Sequence, residues 1–271
     1  MPLYRTNAKD GIAWITGAST GIGRALSLAL AREGYTIAAT ARDEENLASL
    51  AEEASALPGR IVSYPCDVRD EGGMATLVER IERDIGPITL AVLNAGNYFP
   101  TRGDRLEVFN FIRTFEVNLF GTLNGLVPAA DRMRERGRGH VVIVASVTSY
   151  FGWPATAAYG ASKAALNNLA EALKYDFDKL NIRIQIMNPG FVDTPLVAKD
   201  KFSLPALMPA DRAANRIAEA LKTGGFETTF PRRFTWFMKF LRVLPQPLRF
   251  WYVNHATGWQ KRPLLTGKRN R

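Results

Sequence analysis

Gly11-Ile12-Ala13-Trp14-Ile15-Thr16-Gly17-Ala18-Ser19-Thr20-Gly21-Ile22-Gly23-Arg24-Ala25-Leu26-Ser27-Leu28-Ala29-Leu30-Ala31 places an apolar run, a glycine turn and a helix-periodic run in immediate succession. The pattern predicts a short buried strand over 11–16 and a helix that takes up from Arg24. Glycines let a backbone turn tightly and approach a pyrophosphate, while a helix N-terminus offers unpaired N–H groups and the positive end of a dipole. The spacing is G-x-x-x-G-x-G rather than G-x-G-x-x-G. A glycine turn can also be a helix-packing device, so the remainder of the chain has to decide its use.

Outward from that turn the alternation continues. Strands are expected at Thr36 to Thr40, Ile61 to Tyr64, Ile88 to Leu93, Val141 to Ala145 and Ile182 to Met187, with Phe226 to Phe230 as the last. Helices are expected at Glu44 to Ala56, Glu71 to Asp84 and Phe115 to Met133, and again over the run that Tyr159 heads. Strands alternating with helices of this length imply right-handed βαβ units and a mostly parallel sheet covered on both faces. No linker or repeat interrupts them, so one α/β domain over 1–230 is expected, followed by a compositionally distinct 231–271.

Tyr159-Gly160-Ala161-Ser162-Lys163 sets a phenol and an ammonium four residues apart at the head of a helical run. On a helix both address the same small volume. A free tyrosine has a pKa of about 10, and a cation held beside it favours the phenolate, so Tyr159 is a candidate acid or base. Ligands of an open parallel sheet bind at the C-terminal ends of its strands. Thr16, Asn94, Ser146 and Asn188 all fall where a predicted strand ends.

Thr16 to Gly23, Asn94-Ala95-Gly96, Asn118, Ser146, Tyr159 to Lys163 and Pro189-Gly190 together resemble the short-chain dehydrogenase/reductase family in order and spacing, over roughly Gly11 to Pro231. The resemblance implies a doubly wound Rossmann-type three-layer α-β-α fold of about seven strands. It implies Tyr159 as general acid or base and Lys163 as the group that lowers its pKa and holds the nicotinamide ribose. Ser146 would hydrogen-bond the substrate oxygen, and Asn118 would hold a water linking Lys163 to solvent. Gly17, Ser19, Thr20, Gly21, Ile22 and Gly23 would cradle the cofactor phosphates. Asn94, Ala95 and Gly96 would wall the adenine ribose, with Pro189 and Gly190 at the nicotinamide end. Asp67 and Val68 are expected near the adenine and Thr194 at the carboxamide, although a cap or turn role suits Asp67 and Thr194 as well.

Cofactor choice is read after the second strand, at Ala39-Thr40-Ala41-Arg42-Asp43. An acid there accepts from the ribose hydroxyls of NAD, and an Arg accommodates a 2′-phosphate. Ala41 stands where the acid would be and Arg42 follows, so NADP(H) is expected. The competing candidate, Asp43, is placed to cap the next helix.

The substrate is expected to meet Tyr98, Val147, Tyr150, Trp153 and Phe191, in segments that also hold Phe99, Phe151, Leu196, Phe202, Leu204 and Leu207. Their apolar content points to a lipophilic carbonyl or alcohol, and the same aromatics would equally serve a core or a subunit interface.

A formal charge of +9 is concentrated in the tail: from Pro231 to Arg271 there are ten Lys or Arg and no Asp or Glu. With no basic stripe through the body, a nucleic-acid partner is not expected. One cysteine, Cys66, excludes an internal disulfide, and two distant histidines, His140 and His255, give no metal cluster. Cys66 reads as a small buried residue. With no signal peptide and no long apolar run, a cytoplasmic location is expected.

Arg232 to Leu244 has apolar residues at 236, 237, 240, 241 and 244 among cations, and a second aromatic piece spans Leu248 to Val253. Residues 232–260 read either as a peripheral membrane contact or as helices packed over the active-site mouth or a neighbouring subunit. A homo-dimer or homo-tetramer is the expected assembly. Three functions remain: an NADPH-dependent carbonyl reductase, the same site oxidising a secondary alcohol with NADP+, and a non-catalytic NADP(H)-binding protein recruited by its tail.

Overall fold

A computed structural model describes residues 3–197 and 206–264. Strands β1 (Ile12–Thr16), β2 (Thr36–Thr40), β3 (Arg60–Ser63), β4 (Ile88–Leu93), β5 (Gly139–Val144) and β6 (Ile182–Pro189) alternate with helices α1 (Gly21–Arg32), α2 (Glu44–Glu53), α3 (Glu71–Ile85), α4 (Val108–Phe115), α5 (Gly121–Glu135) and α6 (Ala157–Lys179). A two-residue pair, β7 (Val192–Asp193) with β8 (Met208–Pro209), precedes α7 (Ala210–Thr223) and β9 (Glu227–Phe230). The main sheet has seven strands in the order β3-β2-β1-β4-β5-β6-β9. Every pairing is parallel. This is the Rossmann-type three-layer arrangement that the resemblance implied, with the parallel sheet expected from the alternation.

Period-two geometry, with both faces of the sheet covered, explains why β1 is apolar from Ile12 to Ile15. Ala13 and Ile15 face a layer containing Leu26, Leu30 and Ile217 from α1 and α7. Ile12 and Trp14 face the opposite layer, with Met74 of α3, Leu126 of α5 and Leu166 of α6. The Trp14 indole N–H is satisfied by Thr40 Oγ1 at 3.0 Å. Asp43 caps α2 by accepting from Asn46 N at 3.0 Å, and Asp70 caps α3 by accepting from Gly73 N at 2.9 Å.

Two expectations about helices need correction. The single helix expected from Phe115 to Met133 is interrupted by a π-helical turn over Glu116–Phe120, with Asn118 inside it. Such turns occur as single-turn bulges within α-helices, and no residue type in Glu116–Phe120 marks this one in the sequence. In the tail, α8 (Arg232–Val243) and α9 (Gln246–Thr257) form, but the inner face of α8 is Thr235, Met238 and Leu241. Met238 and Leu241 cluster with Val147 and Tyr150, flanked by Phe151, Trp153, Phe234, Leu244 and Tyr252.

Candidate active site

The C-terminal edge of the sheet is stitched together by strand-end residues. Thr16 Oγ1 accepts from Asn94 N and Ala95 N at 3.0 and 3.1 Å, and Asn94 Nδ2 donates to Thr16 O at 3.0 Å. Ser146 N donates to Asn188 Oδ1 at 3.1 Å. These bonds hold the ends of β1 and β4, and of β5 and β6, around a cleft of about 680 Å³. A more open hollow of about 920 Å³ beside α4, lined by Phe111, Ile112, Phe115 and Phe120, contains none of the strand-end residues.

At the cleft the glycine turn approaches other backbone more closely than any side chain would allow. A Cβ at Gly23 would stand 2.2 Å from Gly17 O, and one at Gly17, whose φ is +66°, would stand 2.8 Å from Ala95 Cα. Thr20 precedes α1 without a side-chain capping bond, so no side chain of the cap occupies the first N–H groups of the helix. Open donors beside a glycine cradle fit the pyrophosphate of a dinucleotide. Gly17, Ser19, Thr20, Gly21 and Ile22 line the cleft, and Gly23 lies behind the turn.

Ala41, Arg42, Asp67, Val68 and Arg69 also line the cleft. Arg69 forks onto Asp67 with N–O distances of 2.7 to 3.1 Å, while Arg42 lies 3.9 Å from the same carboxylate with its side chain 70% exposed. The Arg69 hydrogen bond holds the Asp67 carboxyl below its usual pKa, and Asp67 also accepts from Arg69 N in a turn. Asp43 is engaged in capping α2. Cys66 also lines the cleft and is half-buried, not the buried core residue expected. The strand β3 ends at Ser63, three residues before it, so the strand does not carry it inward.

Ser146, Tyr159, Lys163, Pro189 and Gly190 also line the cleft, with Asn94, Ala95, Gly96 and Thr194. Thr194 sits over the glycine turn, its Cγ2 2.9 Å from a Cβ placed on Gly21, and its hydroxyl donates to Val192 O at 3.3 Å. Lys163 is buried and its Nζ donates to Val144 O at 2.8 Å, 5.8 Å from the Tyr159 ring centre. Burial lowers the Lys163 pKa to about 8. Burial also pushes the Tyr159 phenol up to about 12, and a hydrogen bond with Ser146 pulls part of the way back. Burial is the larger of the two effects on the phenol, and Lys163, engaged with the Val144 carbonyl, is not among the groups that lower it here.

Asn118 is fully buried, and its side chain is taken up by protein. Its Oδ1 accepts from Asn97 N at 2.7 Å, and its Nδ2 donates to Asn97 O and Ser162 Oγ, each at 3.0 Å. A Cβ on Gly96 would lie 3.4 Å from Asn118 Oδ1 and 3.5 Å from Lys163 Nζ, so the two groups meet there. The side chain thus ties the post-β4 loop to α6.

The expected substrate residues divide. Tyr98 packs edge-on against Tyr159 with ring centres 5.3 Å apart. Val147 and Tyr150 do not line the cleft: both are buried in the cluster with Met238 and Leu241. Trp153 stacks on Phe151 at 5.5 Å beside that cluster, and Phe191 packs on Phe234 at 5.7 Å. These aromatics serve the seat of the tail, because two further apolar helices compete for them. Leu196 does line the cleft, and Phe202 and Leu204 lie outside the described residues.

Sequence reading missed Phe109, Arg113 and Val117, which line the cleft with Phe99. Their spacing of four along α4 and its π turn was the available signal. The Arg113 guanidinium lies 3.2 Å from the ring centre of Phe99 and 5.3 Å from that of Phe109.

A parallel sheet with a phosphate-type glycine cradle and a serine, tyrosine and lysine at its edge defines a nicotinamide-dependent oxidoreductase. The family profile described as short chain dehydrogenase matches residues 11–203, and the chain belongs to that family. The 3-oxoacyl-[acyl-carrier-protein] reductase FabG of Thermotoga maritima is 34% identical over 69% of this chain and 76% of its own. An alcohol dehydrogenase from Thermococcus sibiricus, solved with 5-hydroxy-NADP, superposes with a TM-score of 0.74 at 26% identity, over 81% of this chain and 95% of that one. A short chain dehydrogenase/reductase from Burkholderia phymatum, solved with NAD, covers 98% of this chain and 99% of that one, with a TM-score of 0.79 at 19% identity.

Proposed function

We propose that the protein is an NADPH-dependent reductase of a carbonyl group on a lipophilic small molecule. The observation that carries this reading is the convergence of Ser146, Tyr159 and Lys163 on the cleft that the glycine cradle also lines. The bound nicotinamide supplies the hydride. Negative charge then develops on the substrate oxygen, which needs a donor in place and a proton delivered. The Ser146 hydroxyl donates to that oxygen and the Tyr159 O–H delivers the proton. Lys163 holds the ribose and electrostatically supports the phenolate left behind. The same residues run in reverse would oxidise an alcohol, the direction being set by the substrate and the cofactor ratio.

Arg42 and Arg69 at the ribose end, with Asp43 spent on capping, support a 2′-phosphate and hence NADPH. Phe99, Phe109, Val117 and Leu196 give the cleft apolar walls. The name of the Thermotoga relative describes a reductase of an oxoacyl group, a carbonyl on an apolar chain. The test is NADPH oxidation across aldehydes and ketones of graded chain length and ring size, repeated with NADH. Turnover rising with apolar length and higher catalytic efficiency with NADPH are expected. A preference for NADH sinks the Arg42 assignment, and absence of turnover across the panel revives a binding-protein role.

A further inference from the structure

The outer face of α8 carries more apolar surface than a folded chain ordinarily leaves in water. Trp236, Phe240 and Val243 are 71%, 57% and 77% exposed, and their spacing of four and three puts them in one stripe. On α9, Leu248 and Trp251 are exposed at a spacing of three. The two helices are a fixed platform. Met238 and Leu241 anchor α8, Phe237 packs edge-on against Tyr252 at 5.4 Å, and Arg102 donates to Pro263 O at 2.9 Å near the far end. Contiguous exposed apolar residues on such a platform mark an interaction surface.

Charge selects the occupant. Arg232 and Arg233 flank Trp236 in the exposed stripe, Arg242 is exposed beside Val243, and no acidic residue occurs between Pro231 and Arg271. A two-fold contact between copies sets the same surface against itself and would bring these cations together with no carboxylate from the segment to pair them. An anionic lipid surface reverses each of those interactions, attracting every Lys or Arg near it. Tryptophan, with an apolar body and one N–H, suits the headgroup boundary. No helix among the described residues is long and apolar enough to cross a membrane. We infer that the α8–α9 platform docks peripherally on an anionic bilayer, Trp236, Phe240 and Val243 entering the headgroup boundary and the arginines meeting lipid phosphates. This inference is independent of the reaction proposed above.

The test is co-sedimentation of the full chain with vesicles of phosphatidylcholine alone and of phosphatidylcholine containing phosphatidylglycerol. Point variants are preferred to truncation, since removing α8 would uncover Val147 and Tyr150. Wild type should sediment with the phosphatidylglycerol vesicles, remain in solution with phosphatidylcholine, and be released by salt. Trp236→Ser/Phe240→Ser should weaken partition at least roughly tenfold from the lost apolar burial. Arg232→Glu/Arg233→Glu should abolish the lipid-charge dependence, with circular dichroism and Tm unchanged in both variants. The inference is overturned if wild type ignores anionic vesicles or if both variants bind as wild type does. It is equally overturned if Trp236→Ser/Phe240→Ser lowers the solution mass and wild type shows no vesicle binding, which makes the face a contact between copies.

Discussion

Glu227 is the residue through which the tail reaches the catalytic edge, and its replacement tests that connection. Its Oε2 accepts from Lys239 Nζ of α8 at 2.5 Å, and its Oε1 accepts from Asn188 Nδ2 at 2.8 Å and from the Tyr150 hydroxyl. Asn188 Oδ1 accepts from Ser146 N at 3.1 Å and from Asn167 Nδ2 at 3.2 Å, and Asn167 Nδ2 also donates to Lys163 O at 3.1 Å. Burial raises the Glu227 pKa, but the hydrogen bonds from Lys239, Tyr150 and Asn188 outweigh it and hold the carboxyl below its ordinary value.

Glu227→Ala deletes one acceptor from a buried tyrosine and one from a buried amide, each a bond to a charged group of about 1.5–3 kcal/mol. Asn188 keeps Asn167 as a partner, and the Lys239 pair is discounted because the lysine side chain is 41% exposed. The net loss is then roughly 2–4 kcal/mol, a fall in Tm of roughly 5–15 °C for a chain of this size. Glu227→Gln retains an acceptor for Tyr150 and Asn188 and should lose less than half as much. Lys239→Ala should lose under about 1 kcal/mol. Because the folded pKa is depressed, the contribution of Glu227 is present above its unfolded pKa and lost as pH falls through the folded value. Differential scanning calorimetry on the three variants, at neutral and acid pH, reads all of this. A Glu227→Ala Tm within a degree or two of wild type, or Lys239→Ala matching it, refutes the network.

Tyr159→Phe should cut kcat by roughly 10²–10⁴-fold while leaving NADPH affinity, measured by fluorescence titration, within a few-fold of wild type. Gly23→Ala puts a methyl 2.2 Å from Gly17 O and should abolish measurable cofactor binding, since the turn must open to admit it. His140 is wholly buried with Nε2 2.9 Å from Gln185 Oε1, and burial lowers its pKa to about 3. The unfolded state therefore holds one more proton between about pH 6.5 and 3, and stability should fall by about 1.4 kcal/mol per pH unit of acidification in that window. Urea titrations at several pH values should show a slope steeper by that amount in wild type than in His140→Asn.

The fold was legible because its determinants are local and repeated. β1, β2 and β4 announce themselves by apolar runs, and Asp43 and Asp70 stand at helix starts where a carboxylate meets free N–H groups. The π turn at Asn118 was not legible, since no residue type in Glu116–Phe120 marks it. At the site, residues fixed by backbone geometry were readable: Gly17 and Gly23 permit an approach no Cβ allows, and Ser146, Tyr159 and Lys163 fall at strand and helix ends that the topology brings together. The protonation of Tyr159 was not readable, because it depends on how much water burial removes, and spacing along α6 carries no information about that.

The substrate wall was misread for a related reason. Tyr150 and Val147 follow β5 and are apolar, which suits a substrate and a docked helix equally well. What separates the two is the tail, and α8 is apolar on both faces. Its periodicity nominates 236, 237, 240, 241 and 244, while the surface that seats on the domain is Thr235, Met238 and Leu241. A helix apolar on one face has its orientation dictated by burial, whereas one apolar on two must be oriented by something polar. Two contacts with β9 do so, the Lys239–Glu227 ion pair and the Thr235 hydroxyl against that of Thr229 at 2.8 Å, with Met238 and Leu241 inward and Trp236 and Phe240 outward. The charge that the sequence presents as part of a solvated basic face is thus one of the groups that orient the helix. It follows that Lys239→Ala, though cheap in stability, should loosen α8 enough to raise proteolysis within 232–244. Retention of wild-type protease resistance in that variant would mean that Thr235, Met238 and Leu241 orient the helix without it.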